Sequence, residues 1–371
     1  MKILIVRTFP NMIDTHQYNV QEIGLAKALT RQGYQCGIVL YNGKCADSVE
    51  NIPVVCDNDC RDITIYRLHG FNILKNGFFP SLNKVVGQYD IIQVHEYDQI
   101  TSWLLYSWSK KKKVVIYHGP YYHEFNKGYN FKCKIFDSLF LKVKHNRDVL
   151  CMTKSSLATD FLKSKGFKSV RTVGVGLDLD NFAVNSEEEL PIDSTKKNVI
   201  YVGKIEERRN SLFLLDVMKE LRRRNQEVNC IIVGNGEEEY KSTFLTKAHD
   251  MMAEGYLQYY EKATQGQLAK LYETARVMLF PSNYEIFGMV LLEAVYFGLP
   301  VLTSKNGGAD IFEDEKCSGI IVSGFKVEEW VEKAEEILIK NVGEKLTLKE
   351  REDLVSWDNK VPAFIECYNY K

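Results

Sequence analysis

The stretch "FPSNYEIFGMVLLEAVYFGLPVL" (Phe280–Leu302) decides how this chain is read. From Ile286 to Phe297 nearly every side chain is apolar, on all faces of any helix drawn through it, which marks a buried segment. Glu293 nonetheless sits in its middle and Glu285 at its entrance. A carboxylate among apolar neighbours costs on the order of 2–7 kcal/mol unless something pairs with it. Pro281, Ser282 and Asn283 precede the run, so the helix is expected to begin near Ile286–Gly288, just past the strand-like "VMLF". The first amides of a helix lack intrahelical acceptors and make a natural anion seat, and Gly288 lets a ligand approach the backbone. Eight residues of helix cover about 12 Å. That matches the separation of the two sugars in a nucleotide diphosphate sugar. The pattern therefore suits Glu293 on a ribose, Glu285 on a hexose, and amides on the phosphates between them.

Such a ligand also requires cations. "YVGKIEERRN" places Lys204 just past a strand end, with Arg208 and Arg209 before the next helix. Lys204 and Arg209 are read as a clamp on a diphosphate, and Arg208 as the partner of Glu206 or Glu207 on a solvated turn. "VGNGEEEY" offers Gly234, Asn235 and Gly236 at another strand end, although a short glycine pair also marks an ordinary turn.

Around this segment the pattern repeats. "NVIYVGK", "VNCIIVGNG", "LQYYEKA", "VMLFPS", "PVLTS" and "GIIVSG" read as short buried strands with helices between most of them. The first half does the same with "KILIVR", "QCGIVLY", "ITIYRL", "DIIQV", "KVVIYHG", "DVLCMT" and "SVRTVGV". Strands alternating with helices imply right-handed crossovers and parallel, doubly wound sheets. The alternation lapses only in "GVGLDLDNFAVNSEEELPIDSTKK" (Gly174–Lys197), a linker by composition, while polar Lys44–Asp62 reads as an irregular excursion. The expectation is an α/β chain of two domains whose strand ends face a central cleft, the default ligand site of such sheets. Its 371 residues allow two cores, and a net charge of -1 gives no whole-molecule argument for nucleic acid.

The amino terminus "MKILIVRTFP" lacks the apolar run of a signal peptide, and no window approaches a membrane span. Nine scattered cysteines, an odd number, read as reduced thiols of a cytoplasmic protein. "CDNDC" has no second ligand pair, so zinc is not expected at Cys56 and Cys60.

"PSNYEIFGMVLLEAVYFGLPVLTSKNGGADIF", together with "YVGKIEERRN", "IIVGNG" and "GVGLDLDNF", resembles the group 1 glycosyltransferases, family 4, of the GT-B fold. The first half resembles them in "LAKALTRQGY", "DIIQVHEY" and "IYHGPY". The resemblance implies two Rossmann-like domains, 1–175 on the acceptor side and 176–355 binding the nucleotide sugar. Residues 356–371 would form a C-terminal helix returning to the first domain. It implies a retaining transfer of a sugar to an acceptor hydroxyl, with no metal and no cofactor.

Carried onto this sequence, Glu293 binds ribose and Glu285 the hexose, and amides from Phe287 through Gly288 and Met289 to Val290 contact hexose and phosphates. Lys204 and Arg209 hold the diphosphate. The family more often has arginine at the first of these positions, and lysine keeps the charge but not the bidentate fork. Glycine commonly follows the second cation, where this chain has Asn210.

His118 in "YHGPYY" matches the family's active-site histidine, near the reacting centre, with its backbone carbonyl as one contact. His95 and His16 are secondary candidates. The glycine pair that relatives carry after the first strand is missing from Thr8 to Val20, so the first domain would reach the donor through side chains such as Thr15 or His16, or mostly through the acceptor. "DND" (Asp57–Asp59) and "DLD" (Asp178–Asp180) imitate a metal motif but are better read as turn formers and caps. The base-binding turn is guessed at Glu261–Ala263.

Segment 123–147 interleaves Lys127, Lys132, Lys134, Lys142, Lys144 and Arg147 with Phe131, Ile135, Phe136, Leu139, Phe140 and Leu141, and "WSKKKK" lies just upstream. The reading adopted is an amphipathic helix whose apolar side packs on the sheet. Peripheral membrane contact stays open beside it. Two rival functions also stand, a nucleotide-sugar epimerase of the same fold and a non-catalytic nucleotide-sugar-binding module. Extracellular polysaccharide or glycolipid assembly is the setting the resemblance implies.

Overall fold

The computed structural model describes residues 1–15, 19–57, 59–108, 112–142, 147–182, 190–313, 317–340 and 346–370. His16, Lys144 and most of the "SKKKK" run fall outside these. Two compact units emerge, one formed by Met1–Asp178 with Ser356–Lys371, the other by Leu179–Val355.

The first unit contains β1 (Lys2–Val6), α1 (Gln21–Arg31), β2 (Gln35–Tyr41), β3 (Ser48–Val55), β4 (Cys60–Leu68), β5 (Phe71–Ile73), β6 (Asn76–Phe78), α2 (Leu82–Val86) and β7 (Ile91–His95). It continues through α3 (Ile100–Trp108), β8 (Lys113–His118), α4 (Lys127–Phe140), β9 (Cys151–Thr153), α5 (Ser156–Ser164) and β10 (Val170–Thr172). Eight of its strands form one sheet, ordered β10-β9-β8-β7-β1-β2-β4-β3. Every pairing is parallel except β3 with β4.

The second unit holds β11 (Lys197–Val202), α6 (Ser211–Arg224), β12 (Val228–Val233), α7 (Glu238–Ala253), β13 (Leu257–Tyr260), α8 (Gln265–Thr274) and β14 (Val277–Phe280). After these come α9 (Met289–Tyr296), β15 (Val301–Ser304), β16 (Gly319–Val322), α10 (Val327–Lys340) and α11 (Leu348–Val355). Its sheet is wholly parallel, ordered β13-β12-β11-β14-β15-β16, the arrangement of a Rossmann fold. The last helix, α12 (Trp357–Asn369), packs on α1 of the first unit. A Cβ on Gly24 of α1 would lie 2.5 Å from the Trp357 ring, so glycine sets the close approach of the two helices.

One sequence reading needs correction and another is met only in part. Lys44–Asp62 is not an irregular excursion, because β3 and the start of β4 form an antiparallel hairpin at the sheet edge. The outermost strand is mostly exposed and carries Pro53, so it lacks the continuous apolar run of a buried strand. Helix α4 does turn an apolar side inward, with Cys133 and Phe136 buried, Phe136 against Tyr97 and Phe140 against Trp103, but Phe131, Ile135 and Leu139 form a second apolar face that points outward. All nine cysteines are free thiols. Among the described residues no helix is long and apolar enough to cross a membrane.

Candidate functional site

In the second unit the candidate residues meet at the carboxyl ends of three adjacent strands, β12, β11 and β14. Gly203 donates its amide to Val233 O at 2.9 Å, and Ile205 donates to Asn235 O at 3.0 Å, lacing the two strand ends together. A Cβ on Gly234 would sit 1.7 Å from Gly203 O, and one on Gly236 1.9 Å from Ile205 O. Those glycines are required by backbone packing whatever binds above them. Asn235 is exposed and accepts from the Gly236 amide.

Arg208 and Arg209 have different surroundings. Arg208 pairs with Glu206 at 2.5 Å and donates to Tyr284 O at 2.9 Å, so it fastens the loop after β14 as well as its own turn. Arg209 pairs directly with Glu285, and its Nε lies 3.5 Å from Glu206. The cation expected on the diphosphate and the acid expected on the hexose are thus partners of each other. Lys204 is exposed and has no ion-pair partner among the described residues.

The helix that carries Glu293 begins at Met289, with Gly288 as its N-cap at φ 73°, a conformation that favours glycine. Glu285 therefore lies in the preceding loop, and a straight helical rise does not measure its distance from Glu293. Phe287 and Gly288 are buried, Met289 and Val290 half-buried, and the amides of this first turn have no intrahelical acceptor. Glu293 is buried and accepts the Tyr272 hydroxyl at 2.8 Å. Tyr272 stacks on Phe297 with ring centroids 5.4 Å apart. The protein itself supplies part of the compensation for that buried acid.

The loop after β15 props this one from behind. Gly307 donates to Glu285 O at 3.0 Å, and a Cβ on Gly308 would lie 1.7 Å from Phe287 O. Sequence reasoning quoted "NGG" without assigning it a role; two glycines beside a loop bearing a buried acid were the available signal. Tyr272 left no comparable trace. Glu261, in the guessed base-binding turn, is held by Lys241 at 2.9 Å.

In the first unit, His118 ends β8 and is fully buried, with Nδ1 2.5 Å from Glu96 and its ring stacked on Phe161 at 5.5 Å. Its carbonyl already accepts the Lys154 amide at 2.9 Å. Glu96 follows β7 and was missed by sequence reasoning. Its backbone is left-handed at φ 63°, which costs on the order of 1–3 kcal/mol for a residue with a side chain. Burial pushes its carboxyl up in pKa, but His118, with help from Lys154 and His95, outweighs that and holds it at about 2. Deeper in, Glu22 joins Arg7 at 2.7 Å and His95 at 3.2 Å. Burial raises the Glu22 pKa; Arg7 first, then His95 and Lys154, hold it well below the carboxylate range.

Thr15 is buried and receives Arg67 at 2.9 Å. In "DLD", Asp178 pairs with Lys27 at 2.6 Å, and in "DND", Asp59 accepts from Arg61 at 2.9 Å. Glu96, Asp98 and His118 bring one ligand atom each within 4.8 Å of one another, the spacing of a metal set. The Lys132 ammonium stands 2.8 Å from Asp98 and the His118 ring occupies Glu96, so the donor charges are already offset.

Two Rossmann-like units of this order define a GT-B fold. Likeness to solved structures agrees: sucrose-phosphate synthase of Thermosynechococcus elongatus has a TM-score of 0.72 at 15% identity, covering 99% of this chain and 98% of that one. Anabaena Alr3699/HepE, solved in complex with UDP, has a TM-score of 0.66 at 14% identity, covering 99% of this chain and 100% of that one. Residues 184–355 match the family profile Glycosyl transferases group 1. Among curated proteins it is similar to the D-inositol 3-phosphate glycosyltransferase of Segniliparus rotundus, 28% identical over 169 residues, 44% of this chain and 38% of the relative. The homologue from Gordonia bronchialis is 24% identical over 246 residues, 62% of this chain and 53% of the relative. The chain thus aligns with about half or less of those relatives' length.

Proposed function

We propose that this chain transfers a sugar from a nucleotide diphosphate sugar to an acceptor hydroxyl, with retention at the anomeric carbon and without a metal or cofactor. One observation carries the reading. An exposed lysine (Lys204), a buried Arg209–Glu285 pair and the amino end of α9 converge at adjacent strand ends, inside the segment that matches the family. Phosphate oxygens suit the lysine, the guanidinium and the first amides of the helix, while carboxylates suit sugar hydroxyls.

In this reading the bond from the anomeric carbon to the phosphate oxygen breaks as the acceptor oxygen bonds on the same face. The acceptor's proton passes to the departing diphosphate. Lys204 and Arg209 offset the charge that develops there. Glu285 holds the hexose and Glu293 the ribose. Within the first unit the candidate groups are His118 and Glu96, Glu96 being the more exposed of the two. Polysaccharide or glycolipid assembly in the cytoplasm is the setting we propose.

The test supplies purified protein with a panel of nucleotide diphosphate sugars and acceptors in chelator. Release of nucleoside diphosphate that requires an acceptor, with a product of the donor's anomeric configuration, supports the reading. An altered sugar formed without acceptor would assign an epimerase. Donor binding without turnover across the panel would assign a binding module.

A further inference from the structure

The outward face of α4 reads Lys127, Gly128, Phe131, Lys134, Ile135, Ser138 and Leu139 at spacings of one helical surface, with Lys142 two residues past its end, all exposed. Phe131 is 67%, Ile135 45% and Leu139 64% exposed, so three large apolar side chains stand in solvent between three lysines. Beside it projects the β5–β6 hairpin, with Phe71, Ile73 and Lys75 exposed and Leu74 at 87%. The turn is built from Leu74 (φ 51°) and Lys75 (φ 61°), both left-handed without being glycine, a strain that holds a leucine outward. One glutamine joins the two elements: with its amide correctly oriented, Gln99 donates to Lys75 O at 3.1 Å and accepts from Lys132 Nζ of α4 at 2.7 Å.

We propose that this face is a docking surface for an anionic lipid bilayer, with the α4 stripe and the hairpin tip in the interface and the lysines on lipid phosphates. Charge selects this occupant. From His123 to Lys142 the acids are Glu124 and Asp137, and Asp137 turns inward to Lys165 and Tyr97. A second copy of the chain, paired on the same face about a twofold axis, would set these lysines against their own copies. An anionic bilayer accepts both the apolar stripe and the positive rim. The proposal does not depend on the transfer reaction.

The experiment sediments full-length protein with vesicles of phosphatidylcholine alone or with about one third phosphatidylglycerol. Anionic vesicles should enrich the protein by about fivefold per contacting lysine at low salt, roughly 100-fold for three, and salt should reverse much of it. Phe131→Ser with Leu139→Ser should abolish the enrichment. Lys127→Glu with Lys134→Glu should remove the preference for anionic lipid. All four side chains are exposed, and unchanged circular dichroism and melting would show each variant folded. Equal sedimentation with both lipids, or full binding by both folded variants, overturns the proposal. Concentration-dependent dimerisation without lipid, lost in Phe131→Ser with Leu139→Ser, would overturn it in favour of a second copy.

Discussion

Removing Arg209 should strand Glu285. The two side chains are 13% and 11% exposed, and they face each other directly. Breaking one partner of a fully buried pair costs about 3–5 kcal/mol, most of it the desolvated charge left behind. Residual exposure discounts this for Arg209→Ala, to about 2–3 kcal/mol. At roughly 2–4 °C per kcal/mol for a unit of this size, the melting transition of the second unit should fall by about 5–10 °C. Glu285→Gln removes the charge but keeps the shape, so Arg209→Ala in that background should cost about 1 kcal/mol. The difference, a coupling of about 1–2 kcal/mol, is read from a double-mutant cycle in denaturant. A nucleoside diphosphate at 100 times its dissociation constant should add about 2.7 kcal/mol to the wild type and far less to Arg209→Ala. Strictly additive single effects would refute the pairing. An undiminished nucleotide response in Arg209→Ala would refute the placement of the diphosphate.

Tyr272→Phe removes a buried donor from Glu293 and should destabilise by about 1–3 kcal/mol, measured by urea unfolding; a neutral result would mean the hydroxyl does not hold that carboxylate. Gly234→Ala brings a methyl to 1.7 Å from Gly203 O, so soluble expression should fall and unfolding free energy drop by about 3 kcal/mol or more, whereas a native-like variant would contradict the packing of β11 against β12. Glu96 is held at about 2, below its unfolded value, so it contributes stability at neutral pH that is lost as pH falls from about 4.5 towards 2. Glu96→Gln should flatten that acid limb in a series of unfolding curves, and an unchanged limb would show that Glu96 is not the group responsible. Lys204→Ala removes an exposed charge that has no ion-pair partner among the described residues, so stability should hold within about 0.5 kcal/mol while turnover drops; a kinetic assay with unaltered turnover would take Lys204 out of the site.

What the sequence revealed depended on whether a structure left its mark on one segment. Parallel strands buried on both faces, such as "KILIV" and "VNCIIV", write themselves as continuous apolar runs, and both sheets were legible for that reason. Strand β3 was not, because an edge strand exposed along most of its length has no such run. The β5–β6 turn was invisible because Leu74 and Lys75 occupy a conformation that sequence rules assign to glycine and asparagine. Helix α4 had a readable helical pattern, yet nothing in the pattern states which side meets the sheet. Cys133 and Phe136 face inward as the plainer reading has it, and the second apolar face of Phe131, Ile135 and Leu139 is the part it lacks.

The buried acids show the same division more sharply. Their oddity inside "EIFGMVLLEAVYF" was plain, and it led to a ligand as the missing partner. The structure adds partners from elsewhere: Arg209 from the turn after β11, Tyr272 from α8, and a backbone prop at Gly307. Compensation by protein and recognition of a ligand are compatible, because a guanidinium carries five N–H donors and a carboxylate two oxygens. Glu285 faces Nη1 of Arg209 and Glu206 lies nearest Nε, an arrangement that fixes the guanidinium plane before any phosphate arrives. A group held in place by its neighbours needs little reorganisation when charge develops nearby, which is the condition for electrostatic stabilisation of a leaving diphosphate. Pairing with Glu285 also lowers the net positive charge at the strand ends. Under the proposed function, the long-range attraction for an anionic donor then falls to exposed Lys204 and the first amides of α9.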